Sequence, residues 1–272
     1  ESTGVYWTPV FQVLEERGFE VKLVDPRQLK RAPGRKTDVA DCQWLQQLHT
    51  FGLLAAAFRP DNQTCVLRAY MRQRAMLVSY AGQHVQHMQK ALVQMNLQLQ
   101  YVLDDITGAT GLRIIRAILA GERNPHRLAA LRDQRCKHPE ATIAKALQGD
   151  WRTEHLFALE QALQLVDAYQ AQIVACDERI QAHLQTFDDR SGGTLPPKGG
   201  KPRRDRHDLG FDATAELYRM TGVDLTAVNG LQAHTVLKVL SETGVDMTKW
   251  KTSKQFSSWL GLAPNNRVSG GK

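Results

Sequence analysis

The stretch HVQHMQKALVQMNLQLQYVLDDI, residues 84–106, decides the fold class. Its apolar residues Val85, Met88, Leu92, Met95, Leu99, Val102 and Ile106 stand three and four apart in alternation. On a helix of about 3.6 residues per turn this spacing gathers them into one stripe, the seam of a heptad pattern. The positions between are rich in Gln and hold no Pro, so a long helix is predicted. A second stripe runs through Leu159, Leu163, Val166, Tyr169, Ile173, Cys176, Ile180, Leu184 and Phe187, with the irregular steps of a stutter. Joined by a connector over 107–150, the two helices pack antiparallel within one chain or against a second copy; the sequence permits both. The Met and aromatic residues of the stripes read as core packing, with no cofactor implied.

Outward from these helices the chain changes character. Residues 5–17 carry apolar positions at helical spacing and stop at Gly18. Phe19, Val21, Leu23 and Val24 then read as a short strand, ended by Asp25-Pro26. The stretch through Lys36 is basic and broken by Pro33-Gly34, a loop, and from Asp38 a helix is predicted with Val39, Cys42, Leu45 and Leu48 on one side. Beyond the second stripe, Ser191-Gly192-Gly193, Pro196-Pro197, Gly199-Gly200 and the run KPRRDR (201–206) describe a flexible, exposed linker. Residues 213–272 form a compact helical module punctuated by Gly222, Gly230, Gly244 and Gly261. The predicted architecture is mixed and mostly α: a partial α/β piece over 1–65, a helical spacer and dimerisation region over 66–187, a basic linker over 188–212 and a C-terminal module over 213–272.

The net charge of +7 is unevenly spread. Residues 22–36, 198–206 and 246–272 carry net +5, +4 and +4, so the remainder is acidic by about −6. Clustered positive charge on a weakly acidic body suits a polyanion, because each neutralised phosphate releases counterions. Three solvated surface patches are the plainer reading. No apolar run approaches the length of a membrane span, and no signal peptide opens the chain. Cys42, Cys65, Cys136 and Cys176 stand far apart with no CxxC pair, which argues against zinc and a disulfide framework and fits a reducing cytoplasm.

Within RKTDVADCQWL (35–45), Asp38 and Asp41 lie three apart at the start of the predicted helix, on one face. Adjacent carboxylates repel unless a cation or proton sits between them, and hard oxygen ligands favour Mg2+ or Mn2+. Arg35 and Lys36 beside them would draw a phosphate toward that metal. The plainer reading makes Asp38 the helix cap and Asp41 a favourable first-turn acid. Near the C-terminus, Ser269-Gly270-Gly271-Lys272 with Arg267 can bring a hydroxyl and bare amides near a phosphate. The segment holds no His, so activation of the serine has to come from elsewhere. It lacks the spacing of a Walker loop, and a flexible basic loop is its plainer reading. Val228-Asn229-Gly230-Leu231-Gln232 resembles a helix-hairpin-helix turn, but Gln232 replaces the usual second glycine, so packing is its expected role. His84 and His87 read as solvated flank residues.

Taken together, ESTGVYW (1–7), GRKTDVADCQWLQQLH (34–49), GDWRTEHLFALEQAL (149–163) and KQFSSWLGLAPNNRVSGGK (254–272) resemble the DEDD insertion-sequence transposases. This is the IS-one-ten class, and the longer heptad region resembles its IS-eleven-eleven branch. The resemblance implies a RuvC-like (RNase H-fold) metal nuclease domain, a helical spacer that dimerises, and a small C-terminal transposase domain. It implies that Glu1, Asp38 and Asp41 are catalytic metal ligands, and that Ser269 joins DNA covalently through a phosphate. In that pattern a leading aspartate stands upstream of Glu1 and relatives continue past Lys272, so the chain is expected to be a piece of a longer protein.

The resemblance also implies a structured guide RNA, DNA of the element ends and target, a homo-oligomer (dimer or tetramer), no membrane, and a place at the bacterial nucleoid. The basic clusters, with Arg35, Lys36, Lys201, Arg203, Arg204, Arg267 and Lys272 as candidate contacts, suit RNA and DNA equally. An inactive nucleic-acid-binding remnant of such a transposase is the chief alternative. A coiled-coil scaffold with basic ends is the third.

Overall fold

A left-handed asparagine sets where the first long helix stops. In the computed structural model, which describes residues 4–26, 37–194 and 208–262, helix α3 runs Asn62–Gln94 and ends because Asn96 takes φ 55°. There the Asn96 and Leu97 amides turn back to the carbonyls of Val93 and Leu92, both at 2.9 Å. The predicted unbroken helix over 84–106 is therefore corrected: only Leu99–Val102 (α4) is helical beyond the break. Asn tolerates the left-handed region because its short amide can hydrogen-bond locally, here accepting at Oδ1 from Gln98 Nε2 at 3.3 Å, while its Nδ2 donates to the distant Gln148 carbonyl at 3.4 Å. The helix also starts well before the quoted seam, with Leu67, Met71, Arg74 and Leu77 buried on the same stripe.

The second stripe forms α8, Thr153–Leu184, with Phe187 just past its end. The Gln63 amide donates to Thr186 Oγ1 at 2.8 Å, and Tyr80 meets Tyr169 with ring centroids 5.9 Å apart. Early residues of α3 thus face late residues of α8, and the two lie antiparallel within one chain.

A core closes each end of this pair. At one end Met88, Leu92, Leu97 and Leu99 pack with the residues expected to be a mere connector. That connector forms α5 (Ala109–Leu119), α6 (Pro125–Ala129) and α7 (Glu140–Ala146), which bring Ile114, Ile115, Ile118, Leu128 and Ile143 into the same core. Burying each such side chain stabilises by about 1.5–3 kcal/mol. Space here is tight: a Cβ at Gly111 would fall 2.0 Å from the Ile106 carbonyl oxygen. Gly111→Ala is expected to destabilise by about 1–3 kcal/mol, as overpacking does. Thermal unfolding followed by circular dichroism checks this, and an unchanged midpoint would show that the chain at Ile106 yields freely.

At the other end Leu67, Met71, Ile180 and Leu184 pack with α9 (Ala213–Thr221) and α10 (Ala233–Thr243) through Leu217, Met220, Val236 and Leu237. Arg219 donates to the carbonyls of Leu184 and Phe187, both at 2.6 Å, satisfying the C-terminal end of α8. Arg68 and Arg72 of α3 both engage Glu242 at the end of α10, Arg72 in a two-bond fork of 3.0 and 2.9 Å. The predicted flexible linker is bound at both described ends. The Arg190 amide donates to the Arg219 carbonyl at 2.7 Å, and Leu209 is buried in the core. The KPRRDR run lies outside the described residues.

A compact unit of its own precedes Asn62. Helix α1, Trp7–Glu16, stops where Gly18 takes φ 79°, as its sequence predicts. Arg59 lies over the Phe11 ring at 4.6 Å and reaches Glu15 at 3.5 Å. The strand expected over Phe19–Val24 is corrected to a single antiparallel bridge between Val24 and Ala56. Pairing is confined to one short neighbouring segment, and Phe19 stays 61% exposed. Helix α2 follows at Asp38–Thr50; of its expected apolar side, Leu45 and Leu48 are half-buried while Val39 and Cys42 are exposed. Among the described residues no helix is long and apolar enough to cross a membrane.

Candidate functional site

Thr37 positions the acidic pair. Its backbone is extended, and its hydroxyl oxygen accepts the Ala40 N–H at 3.2 Å, so Thr37 caps α2. This corrects the plainer sequence reading, in which Asp38 was the cap. Asp38 is instead the first helical residue and exposed, with Asp41 half-buried one turn on. The Asp41 amide donates to the Thr37 carbonyl at 3.0 Å. Both carboxylates gain from the positive end of the helix. Two carboxylates on one turn fit two oxygen positions of a hard divalent cation. Among the described residues no group of three or more metal-capable side chains gathers. Glu1, Arg35 and Lys36 lie outside the described residues, so the structure places two of the three expected acids.

The C-terminal candidates Arg267, Ser269 and Lys272 also lie outside the described residues, as do Lys201, Arg203 and Arg204. What is described is the approach to them. Asp246 accepts the Thr248 amide at 3.0 Å and its hydroxyl at 2.7 Å, and these hydrogen bonds hold the carboxyl below the usual range. Helix α11, Ser253–Trp259, follows, capped by the Thr252 hydroxyl, which accepts the Gln255 N–H at 3.2 Å. Trp250 meets Phe256 and Trp259 with ring centroids 5.1 Å from each. Phe256 and Trp259 lie nearly parallel, 17° apart. Lys249, Lys251 and Lys254 are exposed around them and form no ion pair among the described residues. Sequence reading missed this cluster, although aromatic residues interleaved with lysines in KWKTSKQFSSW (249–259) are its signal.

Val228–Gln232 is a turn between a 3-10 segment, Leu225–Ala227, and α10, with Gly230 at φ 88°. Leu225 and Leu231 pack on the second core, so the turn serves packing. His84 is half-buried and stacked on Tyr169 at 5.5 Å, which corrects its reading as a solvated flank residue; His87 is exposed.

The other group sequence reading missed is buried. Arg74 of α3 and Asp177 of α8 form an ion pair with side chains 4% and 8% exposed. Asp177 also accepts the Gly210 N–H at 2.9 Å, and Arg74 donates to the Asp208 carbonyl at 2.8 Å. Nearby, burial pushes the His234 imidazole down, with the Arg74 charge adding to it. Burial pushes the Cys176 thiol up, with Asp177 reinforcing it.

Two family models match the sequence. One, for the DEDD transposase of IS110, covers residues 1–97, and one described as "Transposase IS116/IS110/IS902 family" covers residues 224–272. The two matches stand at opposite ends of the chain, one containing the acidic turn and the other the aromatic approach and the serine motif. They define the class: a transposase, an enzyme that acts on DNA. The chain belongs to the IS110 family of insertion-sequence transposases. No curated protein and no solved structure matches it.

Proposed function

We propose that this transposase cuts and rejoins DNA with two kinds of group: carboxylates that hold a divalent metal, and a serine that carries the DNA strand. The observation that supports this best is the acidic turn, where Thr37 takes the capping role and leaves the Asp38 carboxylate exposed. Asp38 and Asp41, with Glu1, would hold Mg2+ or Mn2+. When bound, the ion would polarise a scissile phosphate and stabilise the departing oxygen. Ser269 Oγ would attack the phosphorus in line, forming the Oγ–P bond as one P–O ester bond of the strand breaks; its proton passes through solvent to the departing oxygen, which leaves as a strand hydroxyl. The resulting phosphoserine ester keeps the phosphodiester energy, so a hydroxyl of a second strand can displace the serine and reseal DNA. Arg267 and Lys272 stand near enough in sequence to neutralise the phosphate.

In this reading the N-terminal part belongs to an RNase H-like nuclease domain, the long helices form a spacer on which protomers assemble, and a structured RNA guides the choice of DNA. The enzyme works in the bacterial cytoplasm at the nucleoid. Arg35, Lys36, Lys201, Arg203 and Arg204 contribute the polyanion-binding charge.

The test is on the complete open reading frame, incubated with Mg2+, RNA transcribed from the flanks of its element and labelled junction DNA. On a denaturing gel a protein–DNA adduct is expected, absent with Ser269→Ala. Cleavage without an adduct would remove the serine from the chemistry. Binding with neither cleavage nor adduct would identify an inactive nucleic-acid-binding remnant.

A further inference from the structure

We propose that Trp250, Phe256 and Trp259, with Lys249, Lys251 and Lys254, form a platform that stacks unpaired bases of single-stranded DNA. The DNA would be the strand attacked by Ser269, so the assignment rests on the serine reading above. Three observations converge on it. The rings gather around α11, Trp250 in T-shaped contact with Phe256 at an interplanar angle of 70° and Phe256 nearly parallel to Trp259. Trp259 nevertheless stays 40% exposed, and Leu262 after it 73% exposed. A cluster that existed only to fill a small core would cover its largest ring. The charge around it is mainly positive: the three lysines carry +3 against one neighbouring acid, Asp246, whose carboxylate is held by Thr248.

An exposed indole beside ammonium groups that form no ion pair among the described residues is suited to a ligand that is flat and apolar on one side and anionic on the other. Unpaired nucleotides have that character, and stacking is tolerant of sequence because every base has a π-face. Bases within a duplex are stacked on each other and offer only their edges, so the platform selects strands that have separated. Strand exchange requires such a state.

Reach favours DNA over RNA. Ser269 stands ten positions after Trp259. An extended chain spans at most roughly 3.6 Å per residue, so the serine stays within about 36 Å of the platform. A strand joined to the serine would therefore start no more than about 36 Å from the rings, close enough for its unpaired bases to reach them.

The test is fluorescence anisotropy of a labelled oligo(dT) with the full chain, at several salt concentrations. Trp259→Ala is expected to weaken binding about ten-fold, within the range for one lost stacking partner. Trp259→Phe is expected to keep most of the affinity, and its recovery separates stacking from a failure to fold. Replacing all three lysines by alanine is expected to lower the log–log salt slope by about 2, at ~0.7 per phosphate on a single strand. An abasic strand of equal length is expected to bind like the Trp259→Ala protein. Equal binding of abasic and normal strands, or unchanged affinity in Trp259→Ala, would overturn the platform. Tighter binding of oligo(U) than of oligo(dT), lost equally in Trp259→Ala, would overturn the assignment to DNA. Adduct formation by the parent protein with junction DNA is scored separately from its binding of oligo(dT). Base-dependent binding without any Ser269 adduct thus supports the platform and removes only the serine reading, while an adduct with Trp259→Ala binding normally does the reverse.

Discussion

Asp38→Ala or Asp41→Ala in the complete protein is expected to abolish strand cleavage while leaving nucleic-acid binding close to that of the parent. The structure supplies the reason the two effects should separate. Thr37, not Asp38, caps α2, and Asp38 is exposed, so alanine at that position leaves the cap and the helix intact. Alanine is also the better helix former. On the proposed reading, what is lost is an oxygen ligand. Metal-assisted stabilisation of a transferring phosphate is worth several kcal/mol, and at about 1.4 kcal/mol per ten-fold this is on the order of a 1,000-fold loss in rate. Cleavage of labelled junction DNA and filter binding, run side by side, measure the two quantities. Asp38→Asn keeps the shape without the charge and should fail like alanine. Normal cleavage by any of these variants would remove the acidic turn from the metal site.

Arg74→Met is expected to destabilise the unit that starts at Asn62 by about 3–5 kcal/mol, the usual penalty for leaving one partner of a buried pair uncompensated. Asp177 would keep only the Gly210 N–H among its described partners, inside a helix interface where its side chain is 8% exposed. The loss should propagate beyond the helix pair, because Arg74 also holds the Asp208 carbonyl that leads into α9. The double variant Arg74→Met/Asp177→Leu removes both charges and should recover much of the stability. Urea unfolding followed by circular dichroism is the measurement. A change within about 0.5 kcal/mol for Arg74→Met would place the pair in solvent-like surroundings and remove its role as a latch.

Arg74 also explains how far the fold could be read from sequence. The two long helices were legible because their apolar residues repeat with the period of a helix seam. The buried stripe of α3 before residue 84 was not, although the region from 66 was expected to be helical, because it passes through a buried arginine, and a periodicity argument scores Arg as a surface residue. The break at Asn96 was equally hidden: no Gly or Pro marks it, and the apolar stripe continues in sequence after the helix has stopped. The reversal is fixed by distant groups instead. The Asp150 amide donates to the Met95 carbonyl and the Gln98 amide to the Ala146 carbonyl, both at 2.8 Å, and local patterning contains no trace of such bonds.

For the candidate site the balance differs. The helix start at Asp38 was legible from its acids, while the capping role of Thr37 required geometry. The aromatic group around α11 was written in KWKTSKQFSSW, but its residues come together through a turn at 246–252 that the helical spacing of Phe256 and Trp259 alone does not reveal. Where the serine motif and Glu1 stand in relation to these groups lies outside the described residues.

The antiparallel pair with a core at each end is also a ruler. Its 33-residue first helix corresponds to a rod of about 50 Å at ~1.5 Å per residue. Adding residues to one helix alone would slide Arg74 away from Asp177 and rotate every later buried side chain off its face. Seven residues added to both helices restore the facing pairs and lengthen the rod by about 10 Å. The separation between its two closed ends can therefore change only in matched increments, and relatives with shorter or longer spacers should differ by paired insertions rather than single ones.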